Sequence, residues 1–78
     1  MAGLIKRSFA LSGHRTSVAL EEEFWAALAG EAAAAGLSLA HLVGDIDAAR
    51  DPVRPLASAL RVHALRVALT PPVPPASG

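Results

Sequence analysis

The sequence of 78 residues contains no cysteine. Neither a disulfide nor a thiolate zinc site can therefore stabilise the fold, and a reducing compartment is compatible with the chain. The sequence also lacks an apolar run of the roughly 18 residues that a membrane-spanning helix needs, and its first residues lack the apolar segment of a signal peptide. We expect a soluble, cytoplasmic protein without a membrane partner.

Charged residues are scarce, at 18% of the chain, whereas hydrophobic residues make up 53%. A chain of this length forms one domain, which buries only about 60% of its unfolded surface and is marginally stable by itself. Because disulfides are excluded, association with an identical chain is the remaining source of stability, and the apolar composition fits a surface that is partly an interface. These features predict a homodimer or a higher oligomer.

The formal net charge is zero, with seven basic and seven acidic side chains. Proteins that bind nucleic acid are usually basic, since neutralising phosphates supplies most of their nonspecific affinity, so the overall charge disfavours DNA as a partner. The distribution of charge along the chain is more favourable to DNA binding, because Lys6, Arg7 and Arg15 are the only formal charges before Glu21. The N-terminal segment is therefore locally positive.

Residues with catalytic chemistry show no recognisable arrangement. His14, His41 and His63 lack the i, i+4 spacing of a local metal pair, and no Ser-His-Asp order or phosphate-binding loop is present. Asp45 and Asp47 would point to different sides of a helix, so they would not form an acid/base pair. We expect a protein that is not an enzyme and needs no metal or cofactor.

Two short strands are predicted near the N-terminus. Residues 5–11 can be extended, Ser12-Gly13 is typical of a turn, and residues 15–20 alternate between polar and apolar side chains. The alternation places Arg15, Ser17 and Ala19 on one side and Thr16, Val18 and Leu20 on the other. The second strand needs an antiparallel partner, most simply in an identical chain. Two arrangements remain open: a hairpin within one chain, or pairing of two second strands with the first strand extending the ribbon.

Helices are predicted after the strands. The first should run from Glu22 to Ala35, with acidic residues at its start and Gly36 at its end. Ser38 should cap a second helix, whose apolar positions follow the helical period: Leu39, Leu42, Val43 and Ile46. Prolines at 52 and 55 interrupt any continuation before a third helix, Leu56 to Leu69.

The third helix carries two apolar faces. One contains Leu56, Leu60, Ala64 and Val67, and the opposite one contains Val62, Leu65 and Leu69. The first face can close the core of one subunit, whereas the second needs another chain. The proline-rich residues 71–78 are expected to form a disordered tail, which leaves residues 1–70 as the domain.

Several segments resemble the ribbon-helix-helix superfamily. They are Arg15-Thr-Ser-Val-Ala-Leu, the acidic helix start with Phe24-Trp25, and Ala35-Gly36-Leu37-Ser38-Leu39. Other segments look like a short bacterial subgroup of the superfamily: Lys6-Arg7-Ser8, Gly13-His14-Arg15-Thr16-Ser17 and Ser58-Ala59-Leu60-Arg61-Val62. The resemblance covers residues 6–69 and implies a mainly α fold with a short N-terminal β-ribbon, formed as a ribbon-helix-helix homodimer with an additional C-terminal helix.

The resemblance also implies a function and site residues. In the superfamily, two chains pair one strand each into an antiparallel ribbon that enters the major groove of double-stranded DNA, which makes a transcriptional regulator the expected function. The implied base-facing residues are Arg15, Ser17 and Ala19; Ser38 would anchor a phosphate, and Lys6 and Arg7 would follow the DNA backbone. The core of the dimer would contain Val18, Leu20, Trp25, Leu28, Leu42 and Ile46. The alternative is an assembly or protein-interaction module that uses the same fold without binding DNA and associates through Val62, Leu65 and Leu69.

Overall fold

The computed structural model describes residues 3–70 as a two-stranded ribbon followed by three helices. The elements are β1 (Ile5–Leu11), β2 (His14–Leu20), α1 (Glu22–Ala35), α2 (Leu39–Ala49) and α3 (Leu56–Leu69). The predicted fold class is therefore confirmed, and only β2 differs in its bounds, because it begins one residue earlier than expected. The predicted tail, residues 71–78, lies outside the described residues.

The two strands pair as an antiparallel hairpin within one chain, with Leu11 opposite His14 and Ile5 opposite Leu20. Ser12 and Gly13 both have positive φ, 50° and 81°, as a type I′ turn requires. Turns of this type match the right-handed twist of the strands and keep the hairpin short. Of the two arrangements left open by the sequence, the intrachain hairpin is observed. One edge of β2 is therefore paired with β1, and pairing of its other edge with an identical chain stays a prediction.

One core lies between the hairpin and the helices. α2 packs against β1, and α3 packs against β2. All six residues expected in a dimer core are buried within a single chain: Val18, Leu20, Trp25, Leu28, Leu42 and Ile46. The hairpin adds Phe9 and Leu11 to the same cluster, so helices of the same chain cover part of its inner face.

The predicted helix ends are observed. Gly36 has φ of 71°, and the amide of Leu37 donates to the carbonyl of Ala32 at 2.8 Å, which completes a Schellman arrangement after α1. The hydroxyl of Ser38 accepts a hydrogen bond from the amide of His41 at 3.0 Å and caps α2. The Gly-Leu-Ser segment thus ends one helix and begins the next.

α3 belongs to the core and is not an appendage. Leu56, Ala59, Leu60 and Ala64 are buried, but every residue from Leu65 to Thr70 is exposed. Val67, expected on the core face, is 43% exposed because the last turn of α3 extends past the core. Ala35, the last residue of α1, is also exposed, because the last turn of that helix extends past the core.

Two side-chain pairs join α3 to α1, one at its N-cap residue and one further along the helix. Arg61 Nε donates to Glu21 Oε1 at 3.0 Å, and His63 Nε2 lies 2.8 Å from both carboxylate oxygens of Glu31. Because these contacts are partly exposed, they orient the helices more than they stabilise them. A further ion pair joins Asp47 and Arg50 at the end of α2, with Arg50 Nε 2.8 Å from Asp47 Oδ1.

No single helix within residues 3–70 is long and apolar enough to cross a membrane. α1 and α2 satisfy the criteria of length and composition only when they are taken together, and they meet at a bend of 101°.

Candidate functional site

The outer face of the hairpin, which points away from the helices, consists of side chains from both strands. The register places Lys6 opposite Ala19, Ser8 opposite Ser17 and Ala10 opposite Arg15. We call these six residues the outer ribbon face. Its side chains are exposed except that of Ala19, which is half-buried. The predicted grouping of Arg15, Ser17 and Ala19 on one side of β2 agrees with this geometry.

The centre of the outer ribbon face is polar and its two ends are positive. The hydroxyls of Ser8 and Ser17 are 2.9 Å apart and form a hydrogen bond across the strands. Lys6 lies near the open end of the hairpin, and Arg15 lies near the turn, opposite Ala10. Ala19, which is opposite Lys6, lies four positions along β2 from Arg15, so the two cations are about 13 Å apart along the strand direction.

The outer ribbon face contains no acidic side chain, and neither of its cations is neutralised by a neighbour. Within residues 3–70, each ion pair involves another basic residue: Arg50, Arg61, His41 or His63. Lys6 and Arg15 therefore present their charge to solvent. Such a surface favours polyanionic partners because two unpaired cations lie on one narrow strip.

Arg7 lies on the opposite face of the hairpin from Lys6. It is opposite Val18 in the register, and its guanidinium carbon lies 5.3 Å from the centroid of the Trp25 ring. This distance is within the range of a cation–π contact. The structure thus separates two residues that the sequence analysis grouped as one basic arm.

The N-terminus of α2 is the second predicted anion contact. Ser38 is exposed, and its hydroxyl is engaged with the amide of His41. The amides of Leu39 and Ala40 have no hydrogen-bond acceptor among the described residues. The site therefore offers free backbone donors rather than a free hydroxyl.

The outer edge of β2 carries unpaired backbone groups. In a hairpin with a two-residue turn, the residues that flank the turn form a hydrogen-bonded pair, and such pairs alternate with non-bonded pairs along the ladder. Because Leu11 is opposite His14, the backbone groups of Arg15, Ser17 and Ala19 point away from β1. Within residues 3–70, no third strand covers this edge.

The contribution of β1 to the outer ribbon face, namely Ser8 and Ala10, was not predicted from the sequence. The signal was present, because Lys6, Ser8 and Ala10 alternate with Arg7, Phe9 and Leu11. The positive charges at Lys6 and Arg7 obscured this alternation, since both neighbours are polar.

The titratable groups away from the ribbon form separate pairs. Within α2, His41 lies 3.4 Å from Asp45, and His63 of α3 binds Glu31 of α1. Among residues 3–70, no group of three or more side chains has the composition and proximity of a metal site. Hydrogen bonds from its own backbone and then from Arg61 hold the pKa of Glu21 below its ordinary value.

A family model described as the ribbon-helix-helix domain matches residues 4–68. No curated protein and no solved structure matches the sequence. The match includes both strands and nearly all of α3, and the observed element order agrees with it. The chain belongs to the ribbon-helix-helix domain family.

Proposed function

We propose that the chain is a homodimeric DNA-binding protein that regulates transcription and contacts the major groove with its outer ribbon face. The ribbon-helix-helix fold is typical of such regulators. The observation that carries the proposal is the composition of this face, where Lys6 and Arg15 flank Ser8 and Ser17 without any acid. The major groove is about 12 Å wide and admits a two-stranded ribbon, which in a dimer would be the two central β2 strands, with β1 of each chain at the sides of the groove.

The side chains of the outer ribbon face suit distinct contacts with DNA. The guanidinium of Arg15 suits two hydrogen bonds to a guanine edge, and the two serine hydroxyls suit donors or acceptors on several bases. Ala10 and Ala19 suit contact with a thymine methyl group. Lys6 lies about 13 Å along the strand from the position of Arg15, where it suits a phosphate.

The free edge of β2 supports a homodimer. Antiparallel pairing of two β2 strands about Ser17 would satisfy the outward backbone groups of Arg15, Ser17 and Ala19 in both chains. The result is a four-stranded ribbon related by a two-fold axis, with β1 at each outer edge. Such a dimer presents two copies of the outer ribbon face and suits a palindromic site.

The N-terminus of α2 supports a phosphate contact. The free amides of Leu39 and Ala40 and the positive end of the helix dipole favour an anion there. In this proposal Ser38 positions the turn by capping the helix, and the backbone amides hold the phosphate.

The test compares cations on the two faces of the hairpin. Binding of a fluorescent duplex of random sequence is measured by anisotropy at several salt concentrations for the wild type, Lys6→Gln/Arg15→Gln and Arg7→Gln. We expect the double variant to lose most of its affinity and the Arg7 variant to keep most of it. Circular dichroism confirms that each variant is folded.

Equal loss of affinity in the double variant and in Arg7→Gln would contradict the outer ribbon face as the DNA contact. Absence of salt-dependent binding in the wild type would contradict DNA as the partner. Light scattering at the same concentrations reports whether the species that binds is a dimer.

A second candidate is an assembly module, which is supported by the exposed apolar residues of α3. Leu65 is 54% exposed and Leu69 is 72% exposed, whereas Val62, the third residue of the expected oligomer face, is half-buried. An oligomer above the dimer that dissociates to dimers in Leu65→Ser/Leu69→Ser would favour this candidate. An unchanged mass would contradict it.

A further inference from the structure

β2 has one register in which it can pair over its whole length with β2 of a second chain. The backbone groups of Arg15, Ser17 and Ala19 point away from β1, and Ser17 is the middle residue of the seven in His14–Leu20. Antiparallel pairing about Ser17 therefore matches the full strand and brings all three outward residues into hydrogen-bonded pairs. A shift by two residues would place Arg15 or Ala19 opposite a residue outside the strand, and a shift by one would set outer side chains against inner ones.

This register arranges the outer ribbon faces of the two chains in three rows that cross the four strands. The central row contains only serine, namely Ser8 and Ser17 of one chain and the same two residues of the partner. Each of the two flanking rows contains, in order across the strands, Lys6 and Ala19 of one chain followed by Arg15 and Ala10 of the partner. The combined face therefore has a neutral polar centre between two identical basic rows.

The two arginines of this face are a fixed distance apart. Arg15 and the partner's Arg15 are separated by four positions along the strands and by one strand spacing, which is about 14 Å between their Cα atoms. Consecutive nucleotides of a DNA strand are about 3.4 Å apart along the helix axis. Guanines contacted by the two arginines are therefore about four base-pair steps apart. Because the two chains are related by a two-fold axis, these guanines lie on opposite DNA strands.

The central row discriminates less between base pairs than the two arginines do. The hydroxyls of Ser8 and Ser17 are 2.9 Å apart, so one of the two donates its proton to the other. One hydroxyl proton of each pair is left for DNA, and a hydroxyl suits donors or acceptors on several bases. A guanidinium, in contrast, recognises both acceptors of a guanine edge together. Most of the sequence specificity therefore lies in the flanking rows.

We infer that the preferred DNA site is defined by two G·C pairs, related by two-fold symmetry and about three to five base-pair steps apart, around a centre whose sequence matters less. The range of one step on either side of four accommodates the reach of the arginine side chains. Lys6, about 10 Å to the side of the partner's Arg15, contacts phosphate and does not set the spacing. The inference rests on the proposed function and adds the spacing and symmetry of the bases that Arg15 contacts.

Competition between duplexes tests the inference with the full chain. Each competitor contains two symmetric G·C pairs, separated by between one and eight steps in a background of A·T pairs and placed in both strand orientations. It competes with a labelled duplex of random sequence, whose release is followed by anisotropy. We expect the best competitor to have a spacing of about three to five steps and to bind about tenfold or more tightly than duplexes outside this range.

Two variants distinguish the reading of bases from the attraction of phosphates. Arg15→Lys keeps the charge but loses the paired hydrogen bonds to guanine, so it should remove the preference for one spacing. Lys6→Gln, the control, should weaken binding to every duplex and leave the preferred spacing unchanged. Circular dichroism confirms that both variants are folded.

A preferred spacing outside this range, or a preference that Arg15→Lys retains, would overturn the inference while DNA binding itself stands. Salt-dependent binding that is equal for all duplexes would do the same. Absence of binding to every duplex, including the one of random sequence, would contradict the proposed function and the inference together.

Discussion

The indole Nε1 of Trp25 donates a hydrogen bond to the backbone carbonyl of Ile5 at 2.7 Å. This bond joins the first turn of α1 to the start of β1, although 20 residues separate the two in sequence. The indole is 2% exposed, and its ring centroid lies 5.8 Å from that of Phe9. One side chain thus holds the hairpin on the helices by packing and by a directed bond.

Trp25→Phe should lower the free energy of unfolding by about 1–3 kcal/mol, because it removes the donor to Ile5 and part of the packed ring. Trp25→Ala should cost about 3–5 kcal/mol, since it also leaves a cavity. Urea denaturation followed by circular dichroism measures both. Phe24→Leu, at the neighbouring half-buried position, is the control and should cost less than either. A Trp25→Phe protein as stable as the wild type would show that the bond to Ile5 contributes nothing.

Gly30 and Gly36 should respond to alanine in opposite directions. Gly30 lies within α1, and a Cβ there would meet no atom within 4 Å, so Gly30→Ala should stabilise the protein by about 0.5–1 kcal/mol. Gly36 has φ of 71°, where a Cβ is strained, so Gly36→Ala should destabilise it by about 1–2 kcal/mol. Thermal denaturation of the two variants checks the contrast. Equal effects would mean that α1 does not end at Gly36.

The ion pair between Glu21 and Arg61 should make a small, pH-dependent contribution to stability. Hydrogen bonds from the backbone and from Arg61 lower the pKa of Glu21, so the folded state binds a proton less readily than the unfolded chain. Its contribution is present above the ordinary glutamate pKa of about 4.3 and is lost as the pH falls through the lowered value. The urea midpoints of the wild type and Glu21→Gln should therefore converge in acid. Glu23→Gln, which removes an exposed carboxylate outside the ion pairs of residues 3–70, is the control. A constant difference across this range would contradict the linkage.

The salt dependence of DNA binding should report how many cations of the outer ribbon face contact phosphate. If Lys6 binds a phosphate, Lys6→Gln should reduce the slope of log affinity against log salt by about 0.9 for each chain in contact. Ser17→Ala should leave this slope unchanged and alter the preference among duplex sequences, because a hydroxyl reads bases and carries no charge. Anisotropy titrations with two duplexes measure both quantities. A slope that changes with Ser17→Ala but not with Lys6→Gln would reverse the proposed roles.

The sequence was sufficient to predict the element order, the helix ends at Gly36 and Ser38, and the alternation of β2. These features depend on local chemistry: positive φ at glycine, a capping hydroxyl and a two-residue period. The partner of β2 was not predictable. Polar and apolar residues alternate from Arg15 onward in the same way whether the strand pairs within the chain or between chains. The contact of Arg7 with the Trp25 ring was not predicted, because an arginine that packs on a ring at the surface cannot be told from the sequence from one that faces solvent.

The most direct test of the account is the footprint of a short DNA duplex on the amide spectrum of the labelled full chain at moderate salt. The account predicts that the largest shifts occur at Lys6, Ser8, Arg15 and Ser17 and at the N-terminus of α2, and that they disappear as the salt concentration rises. Shifts confined to α3, with none in the hairpin, would contradict it.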